Sequence, residues 1–187
     1  EVKTYPTVEM VVNRERNLLD YLCSPARIEA GEQGRATDIA VSLAETLELV
    51  GLLAVEMFVT EKGDVLINEV APRPHNSGHH TIETNNTSQY EQHLRAIFDL
   101  SLGSTEMILP SVMVNIIGEK GYSGPAVYEG VEPFLEIPGV HLHLYGKKIV
   151  QPFRKMGHIT IVRPAITEAL EIAGKIKQEV KAISCQK

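Results

Sequence analysis

Cysteine is scarce in this chain of 187 residues, where Cys23 and Cys185 are the two examples. They lie near opposite ends, outside any Cys-x-x-Cys or cysteine/histidine spacing, which argues against a disulfide scaffold or a cysteine-ligated zinc site. No apolar run approaches the roughly 18–20 residues of a membrane span. The first residues also lack the basic start and the apolar stretch of a signal peptide. These absences predict a cytoplasmic protein without a membrane partner.

Basic residues are outnumbered as well, with 18 Lys and Arg against 24 Asp and Glu and a net charge of −6. This balance argues against a protein that binds nucleic acid through a basic face, although a few cations can still surround a phosphorylated small molecule. What is present, 43% apolar and 22% charged residues, is typical of a globular protein with one domain or two small ones. Because no initiator methionine precedes Glu1, we expect the chain to be a fragment.

The spacing of apolar residues predicts a mixture of strands and helices. Strands are expected in two hairpins and a later group, over 7–13 with 18–28, 52–60 with 64–70, and then 111–118, 139–145 and 158–162. Helices are expected over 33–50, 88–100 and 164–184. Gly51 is the expected end of the first helix and Ser88 the expected N-cap of the second. The character of the sequence changes after Gly103, so the predicted domains are 1–102 and 103–187.

The second hairpin places two acidic residues opposite each other. If its turn is centred on Lys62-Gly63, as a loop of two or four residues, Glu56 pairs with Glu69. Directly opposed side chains share one face of the sheet, and like charges there are destabilising. A shared Mg²⁺ would remove the repulsion, since this ion takes oxygen ligands from one or two carboxylates and from substrate phosphates. A different register, or an acid turned to solvent, is the alternative, and Asn68 joins the site only if the strand is bulged.

A polar loop follows this hairpin and carries candidate binding groups at Arg73, His75, Asn76, Ser77, His79 and His80. Arg73 can hold a carboxylate or a phosphate through its planar guanidinium. A zinc site made of His75, His79 and His80 is a rival interpretation, but no helix orders these residues as in an H-E-x-x-H motif. A plain polar surface loop accounts for the same residues.

A second basic group stands late in this acidic chain, at Lys147, Lys148, Arg154 and Lys155. Four cations within nine residues can form a phosphate pocket. Lysines also protect the edges of sheets, so a solvated strand–turn–strand edge is equally compatible with the sequence. His141 and His143 alternate on one predicted strand, but a pair without a third ligand is weak evidence for a metal site.

Several stretches resemble one enzyme family over nearly the whole chain, from residue 4 to about residue 162. The run LINEVAPRPHNSGHHTIE (66–83), with VEMFV (55–59) before it and SQYEQHLRAI (88–97) after it, closely resembles the N5-carboxyaminoimidazole ribonucleotide synthases. The run HLHLYGKKIVQPFRKMGHITI (141–161) is similar to the carboxy-terminal domain of the same family. The part from Asn68 to His79 is highly specific.

The resemblance implies an α+β fold, with part of an ATP-grasp domain (antiparallel sheet with helices) followed by a small mixed α/β carboxy-terminal domain. It implies a ligase of purine biosynthesis, with lyase and decarboxylase as further designations. The family uses ATP, Mg²⁺ or Mn²⁺, and bicarbonate to carboxylate 5-aminoimidazole ribonucleotide through carboxyphosphate. A homodimer and an upstream half of the same polypeptide are the implied partners, and this half alone is expected to be inactive. Another ATP-grasp ligase with a different acceptor, and a non-catalytic nucleotide-binding module, are the alternatives.

The resemblance also implies roles for matching residues. Glu56 and Glu69 match the magnesium ligands, and Asn68 joins Glu69 in contacting the nucleotide phosphates. Arg73 and His75 match the loop at the reaction site, where Arg73 would stabilise carboxyphosphate and His75 would handle a proton. Substrate contacts are implied at Asn76, Ser77, Lys147 and Arg154, the last two holding the 5′-phosphate.

Overall fold

The computed structural model describes residues 1–13 and 18–185. Their strands are β1 (Glu9–Asn13), β2 (Leu18–Ser24), β3 (Ala54–Val59), β4 (Val65–Ala71), β5 (Ser111–Ile117), β6 (Gly124–Glu129), β7 (Val140–Leu144), β8 (Ile149–Val150), β9 (Lys155–Val162) and β10 (Lys181–Ser184). Their α-helices are α1 (Ala30–Thr46), α2 (Thr81–Thr84), α3 (Gln89–Ile97), α4 (Glu132–Leu135) and α5 (Ile166–Glu179). None of the helices in this part of the chain is both long and apolar enough to cross a bilayer.

The described residues form two compact units. The first unit contains Glu1–Glu9 and Ser24–Leu109, and the second contains the described residues of Met10–Cys23 and Pro110–Lys187. The division into domains at residues 102 and 103 stays a prediction. Residues 10–13 and 18–23, which sequence alone assigns to the first part, belong to the second unit, where β2 neighbours β5.

The second unit is built on a five-stranded sheet in the order β1-β2-β5-β9-β7. Strand β9, the fourth in this order, pairs antiparallel with both β5 and β7, and most of its residues are buried. Helix α5 buries Ala169, Ala173 and Ile176, and these pack in one core with Val112 and Ile161 of the sheet. Small residues on the helix allow this close approach, while the apolar strands supply the buried area.

The first unit contains the hairpin β3–β4 with helices α1 and α3. Helix α1 begins in a capping box, in which Glu29 accepts from the backbone of Glu32 and the Glu32 carboxylate accepts from the Glu29 N–H at 3.0 Å. Helix α3 begins as predicted at Ser88, whose hydroxyl accepts from the Glu91 N–H at 3.2 Å. The predicted α+β fold with antiparallel sheets is confirmed.

The three predicted helices all end earlier than expected, α3 at Ile97 rather than at residue 100, and α1 and α5 by more. Helix α1 ends at Thr46 rather than at Gly51, because Leu47 closes the last turn and Glu48 turns left-handed at φ 47°. Helix α5 ends at Glu179, after which Val180 is extended and β10 pairs with the distant β6. Strand β10 is stabilised by its pairing with β6, and the local sequence does not reveal this pairing. The polar turn of the first predicted hairpin, residues 14–17, lies outside the described residues.

Candidate nucleotide and metal site

The hairpin β3–β4 sets two acidic residues face to face, as predicted. Glu56 pairs with Glu69, while Met57 pairs with Ile67 on the next position. The register therefore shifts between these pairs, and Asn68 is the extra residue of a β-bulge. The bulge brings Asn68 and Glu69 together across from Glu56. The sequence predicts that Asn68 joins the site only with such a bulge.

The turn of this hairpin differs from both predicted forms. Val59 pairs with Val65, and the Thr60 N–H donates to the Asp64 carbonyl at 2.9 Å, which leaves a three-residue loop. Gly63 ends that loop at φ 81°, a left-handed conformation that glycine adopts without strain. The turn alone would move Glu56 out of register with Glu69 by one residue, and the bulge at Asn68 restores the pairing.

A histidine from the following loop stands next to the acidic pair. The Nε2 atom of His75 lies 3.7 Å from Oε1 of Glu56, and the side chains are only 14% and 22% exposed. The Nδ1 atom of His75 accepts from the Ser77 N–H at 3.4 Å and lies 2.9 Å from the Ser77 hydroxyl oxygen. Because Nδ1 is an acceptor, the neutral ring carries its proton on Nε2, the atom that faces Glu56.

The rest of the predicted loop is arranged around a short helical turn. Residues Asn76–Gly78 form a 3₁₀ turn with His75 as its N-cap. Arg73 is exposed next to the hairpin and donates to the Pro74 carbonyl at 3.2 Å. The structure thus brings Glu56, Asn68, Glu69 and His75 to one end of the hairpin, with Asn76 and Ser77 directly after them in the chain.

The three loop histidines do not form a zinc site, because each ring has different partners. His79 Nδ1 lies 2.8 Å from both Gln89 Nε2 and the Tyr90 hydroxyl. His80 is buried, and its Nδ1 lies 3.0 Å from the Ser77 carbonyl oxygen. Burial lowers the pKa of His80 to about 4, which keeps its ring neutral. Within residues 1–13 and 18–185, no three His, Cys, Asp or Glu residues are grouped to hold a metal.

The donor chemistry of the hairpin fits Mg²⁺ better than zinc. Glu56 and Glu69 offer carboxylate oxygens, the ligand type that this hard cation prefers. Mg²⁺ usually keeps several waters and binds through one or two carboxylates together with substrate phosphates, so a pair of acids without a third protein ligand is a suitable holder.

The late basic residues are placed in the second unit. Lys147 donates to the Lys155 carbonyl at 2.5 Å and lies 5.5 Å from the centre of the Tyr145 ring. Arg154 donates to the Ile149 carbonyl at 3.1 Å. Burial lowers the pKa of Lys147, and the positive charge of Arg154 lowers that pKa further. A bound anion such as a phosphate would offset the effect of Arg154 on the charged form of Lys147.

Of the two histidines that alternate on β7, His143 packs against a histidine of the neighbouring strand. The His143 ring stacks on His158 of β9, with ring centres 4.5 Å apart and planes inclined by 14°. Stacked imidazoles present their faces rather than their nitrogen lone pairs to each other.

Gln89 is among the buried polar residues of the first unit that sequence reasoning missed. Its side-chain amide contacts the backbone of His75 on both sides and also the ring of His79. A glutamine at the start of a helix is usually exposed, so the residue type does not predict that Gln89 is buried. Gly78 is the available signal, because a Cβ atom there would come within 2.6 Å of Gln89 Oε1.

Comparison with known families divides the chain in sequence order. The family model of the ATP-grasp domain matches residues 1–90, and that of the phosphoribosylaminoimidazole carboxylase C-terminal domain matches residues 111–172. The chain is 47% identical over 163 residues to the N5-carboxyaminoimidazole ribonucleotide synthase of Bacillus subtilis, covering 87% of this chain and 41% of that protein.

Solved structures show the same similarity. The N5-carboxyaminoimidazole ribonucleotide synthetase of Thermotoga maritima is 50% identical with a TM-score of 0.88, over 96% of this chain and 48% of that one. The synthase of Aspergillus clavatus, solved in complex with ADP and 5-aminoimidazole ribonucleotide, is 35% identical with a TM-score of 0.81, over 93% of this chain and 47% of that one. The chain thus spans less than half the length of each of these relatives. On this fold and these matches, the chain belongs to the ATP-grasp family of N5-carboxyaminoimidazole ribonucleotide synthases.

Proposed function

We propose that this chain forms the carboxy-terminal half of a ligase that carboxylates 5-aminoimidazole ribonucleotide at the expense of ATP. The observation that carries the proposal is the pairing of Glu56 with Glu69 across a bulge, with His75 beside it. The relatives named above support the reaction, since one of them was solved with ADP and this ribonucleotide. The chain is assigned to the ligases, and the lyase and decarboxylase designations are not carried over to it.

In this proposal the hairpin binds the nucleotide phosphates. Glu56 and Glu69 would hold Mg²⁺ or Mn²⁺, and Asn68 would join Glu69 in contacting the phosphates. When bound, the ion supplies positive charge that offsets the charge developing on the transferred phosphoryl group. The bulge supports this proposal, since two consecutive residues, Asn68 and Glu69, stand across from the single residue Glu56.

The reaction couples phosphoryl transfer to carboxylation. An oxygen of bicarbonate attacks the γ-phosphorus of ATP, which releases ADP and forms carboxyphosphate. The exocyclic amine then attacks the carboxyl carbon, forming the N–C bond as the C–O bond to phosphate breaks. Arg73 stabilises the negative charge of carboxyphosphate, and His75 takes part in moving the amine proton. Asn76 and Ser77 contact the substrate.

The second unit contains the two cations proposed to bind phosphate. Lys147 and Arg154 hold the 5′-phosphate of the ribonucleotide, which supplies the negative charge that these neighbouring cations favour. We further propose a homodimer, in which each polypeptide continues upstream of this chain with the rest of the ATP-grasp domain. A cytoplasmic location is part of this proposal, because a chain with only two cysteines suits a reducing compartment.

The test is ADP formation by the full polypeptide in bicarbonate buffer, with and without 5-aminoimidazole ribonucleotide. Strong stimulation by the ribonucleotide would support the proposed acceptor. Arg154→Ala should then raise KM for the ribonucleotide about tenfold to a hundredfold, the value of a lost charge-assisted hydrogen bond, with KM for ATP unchanged. Lys148→Ala is the matched control, because Lys148 is an exposed cation of the same segment.

Other outcomes favour other functions. ADP formation at the same rate with and without this ribonucleotide would point to an ATP-grasp ligase with a different acceptor. Nucleotide binding without any turnover, in a folded full polypeptide, would point to a binding module.

A further inference from the structure

We propose that Gln89 is a positioning residue that keeps His75 beside Glu56 and thereby couples ATP cleavage to carboxylation. The inference rests on the proposed function, since it deepens the role of the loop that begins at His75. Gln89 itself does not touch the acidic pair in this structure. It acts through the loop backbone.

The side chain of Gln89 forms hydrogen bonds with both backbone groups of His75, the N–H and the carbonyl. The His75 N–H donates to Gln89 Oε1 at 2.9 Å, and Gln89 Nε2 donates to the His75 carbonyl at 2.9 Å. Nε2 also lies 2.8 Å from Nδ1 of His79, a nitrogen that the Tyr90 hydroxyl approaches to the same distance. Gln89 is 2% exposed, which keeps water from replacing these bonds.

Further contacts fix Gln89 against the end of the same loop. Its backbone N–H donates to the Thr81 hydroxyl at 2.9 Å, and that hydroxyl donates to the Gly78 carbonyl at 2.6 Å. The absence of a side chain at Gly78 leaves the space that the Gln89 amide occupies, since a Cβ there would lie 2.6 Å from Oε1. The loop from His75 to His79 is therefore held around one buried amide.

The consequence concerns where His75 stands. Its Nε2 atom is 3.7 Å from Glu56 and its Nδ1 atom caps the turn at Ser77, so the ring bridges the acidic pair and the loop. Without the Gln89 amide, the backbone of His75 loses two hydrogen bonds, while its carbonyl still accepts from the Gly78 N–H at 3.0 Å. The loop would then sample other positions, and carboxyphosphate would react with water more often than with the amine. Small misplacements of reacting groups cost large factors in rate.

The chain offers a matched control on the same helix. Gln92 lies on α3 three residues further on, is 5% exposed, and also binds a backbone from both sides. Its Nε2 donates to the Gly103 carbonyl at 3.0 Å, and the Gly103 N–H donates to its Oε1 at 2.8 Å. Replacing Gln92 therefore removes the same number of backbone bonds from a different loop.

The experiment compares Gln89→Met, Gly78→Ala and Gln92→Met in the full polypeptide, and measures ADP and carboxylated ribonucleotide in the same samples. We expect Gln89→Met and Gly78→Ala to lower carboxylation about tenfold to a hundredfold while ADP formation falls much less. The ratio of ADP to carboxylated product should rise well above the wild-type value, while Gln92→Met keeps that value. An unchanged ratio in folded Gln89→Met, or an equal rise in Gln92→Met, would overturn the proposal.

A second measurement does not depend on turnover. The imidazole NMR signals of His75 should move on Glu56→Gln in the wild-type background and in Gln92→Met, but not in Gln89→Met. If the wild type forms no ribonucleotide-stimulated ADP, the proposed function fails, and this comparison alone decides the positioning role. His75 signals that respond to Glu56→Gln equally in all backgrounds would reject it.

Discussion

At the scale of single residues, the acidic pair is the feature that most needs a ligand. Glu56 and Glu69 face each other on antiparallel strands, where like charges are destabilising by a few tenths to about 1 kcal/mol. His75 offers Glu56 a partner at 3.7 Å, but Glu69 is exposed at the open side of the hairpin. A cation shared by both carboxylates would turn this repulsion into binding energy.

Glu69→Gln should separate these two effects. Without metal, we expect the variant to have a free energy of unfolding equal to that of the wild type or up to about 1 kcal/mol higher, since the repulsion is gone. With Mg²⁺ and nucleotide at about a hundred times their Kd, the wild type should gain about 3 kcal/mol and the variant far less. Thermal unfolding with and without the ligands measures both quantities. Glu61→Gln, in the exposed turn, is the control and should behave as the wild type.

His80 gives the first unit a defined pH response. Burial lowers the pKa of His80 from the ordinary 6.5 to about 4, so the unfolded chain takes up this proton first as the pH falls. Stability from the neutral ring is therefore complete above about pH 6.5 and is lost progressively between 6.5 and 4. The loss should reach at most about 3 kcal/mol.

The variant His80→Asn tests whether His80 causes this loss of stability at low pH. Its amide N–H₂ can still donate to the Ser77 carbonyl, but it carries no titratable group. Urea unfolding between pH 4 and 7 should show a shallower loss of stability in His80→Asn than in the wild type. Equal slopes would mean that other groups cause the acid response.

At the scale of elements, the hairpin β3–β4 shows how a correct pairing can rest on a wrong turn. A loop of two or four residues predicts Glu56 opposite Glu69, while the actual three-residue loop shifts the pairs nearest the turn by one. The extra residue at Asn68 cancels that shift. A glycine at position 63 indicates in the sequence where the tight loop ends. An asparagine at position 68 does not by itself indicate a bulge, so the bulge could not be predicted locally.

Two glycine substitutions in the first unit should have opposite effects. Gly63→Ala forces a side chain into the left-handed conformation at φ 81° and should cost about 1–2 kcal/mol of unfolding free energy. Gly34→Ala, inside α1 with open space around its Cβ position, should add up to about 1 kcal/mol through helix propensity. Urea unfolding of both variants measures the sign of each change in the free energy of unfolding. Gly63→Ala as stable as the wild type would contradict the turn.

At the scale of the whole molecule, each compact unit contributes its own charged cluster. The first unit holds the acidic hairpin and the histidine loop, and the second holds Lys147 with Arg154. The chain matches less than half of each relative named above, and the proposed nucleotide contacts here come only from Asn68 and Glu69.

We therefore predict that the isolated chain of 187 residues forms no ADP above a Glu69→Gln background, whereas the full polypeptide turns over. The physical reason is that phosphoryl transfer needs the nucleotide held in line with its acceptor, beyond contact with its phosphates. A steady-state ADP assay on both proteins at equal concentration measures the difference. Comparable ADP formation by the isolated chain would contradict the prediction.

The sequence by itself determined the features that depend on local spacing. It determined most strands and helices, the N-cap at Ser88 and, through the motif from Asn68 to His79, the family. The acidic pair was also within reach, since strand alternation assigns faces once a hairpin is recognised.

Tertiary structure alone decided the features that depend on distant partners. The strand β10 forms only because β6 is there to pair with it, and the end of α5 follows from that pairing. Burial of Gln89 and His80, and the approach of His75 to Glu56, arise from packing of the loop against α3 and the hairpin. A residue's letter is the same whether its side chain is solvated or enclosed, so contacts between distant segments had to come from the folded chain.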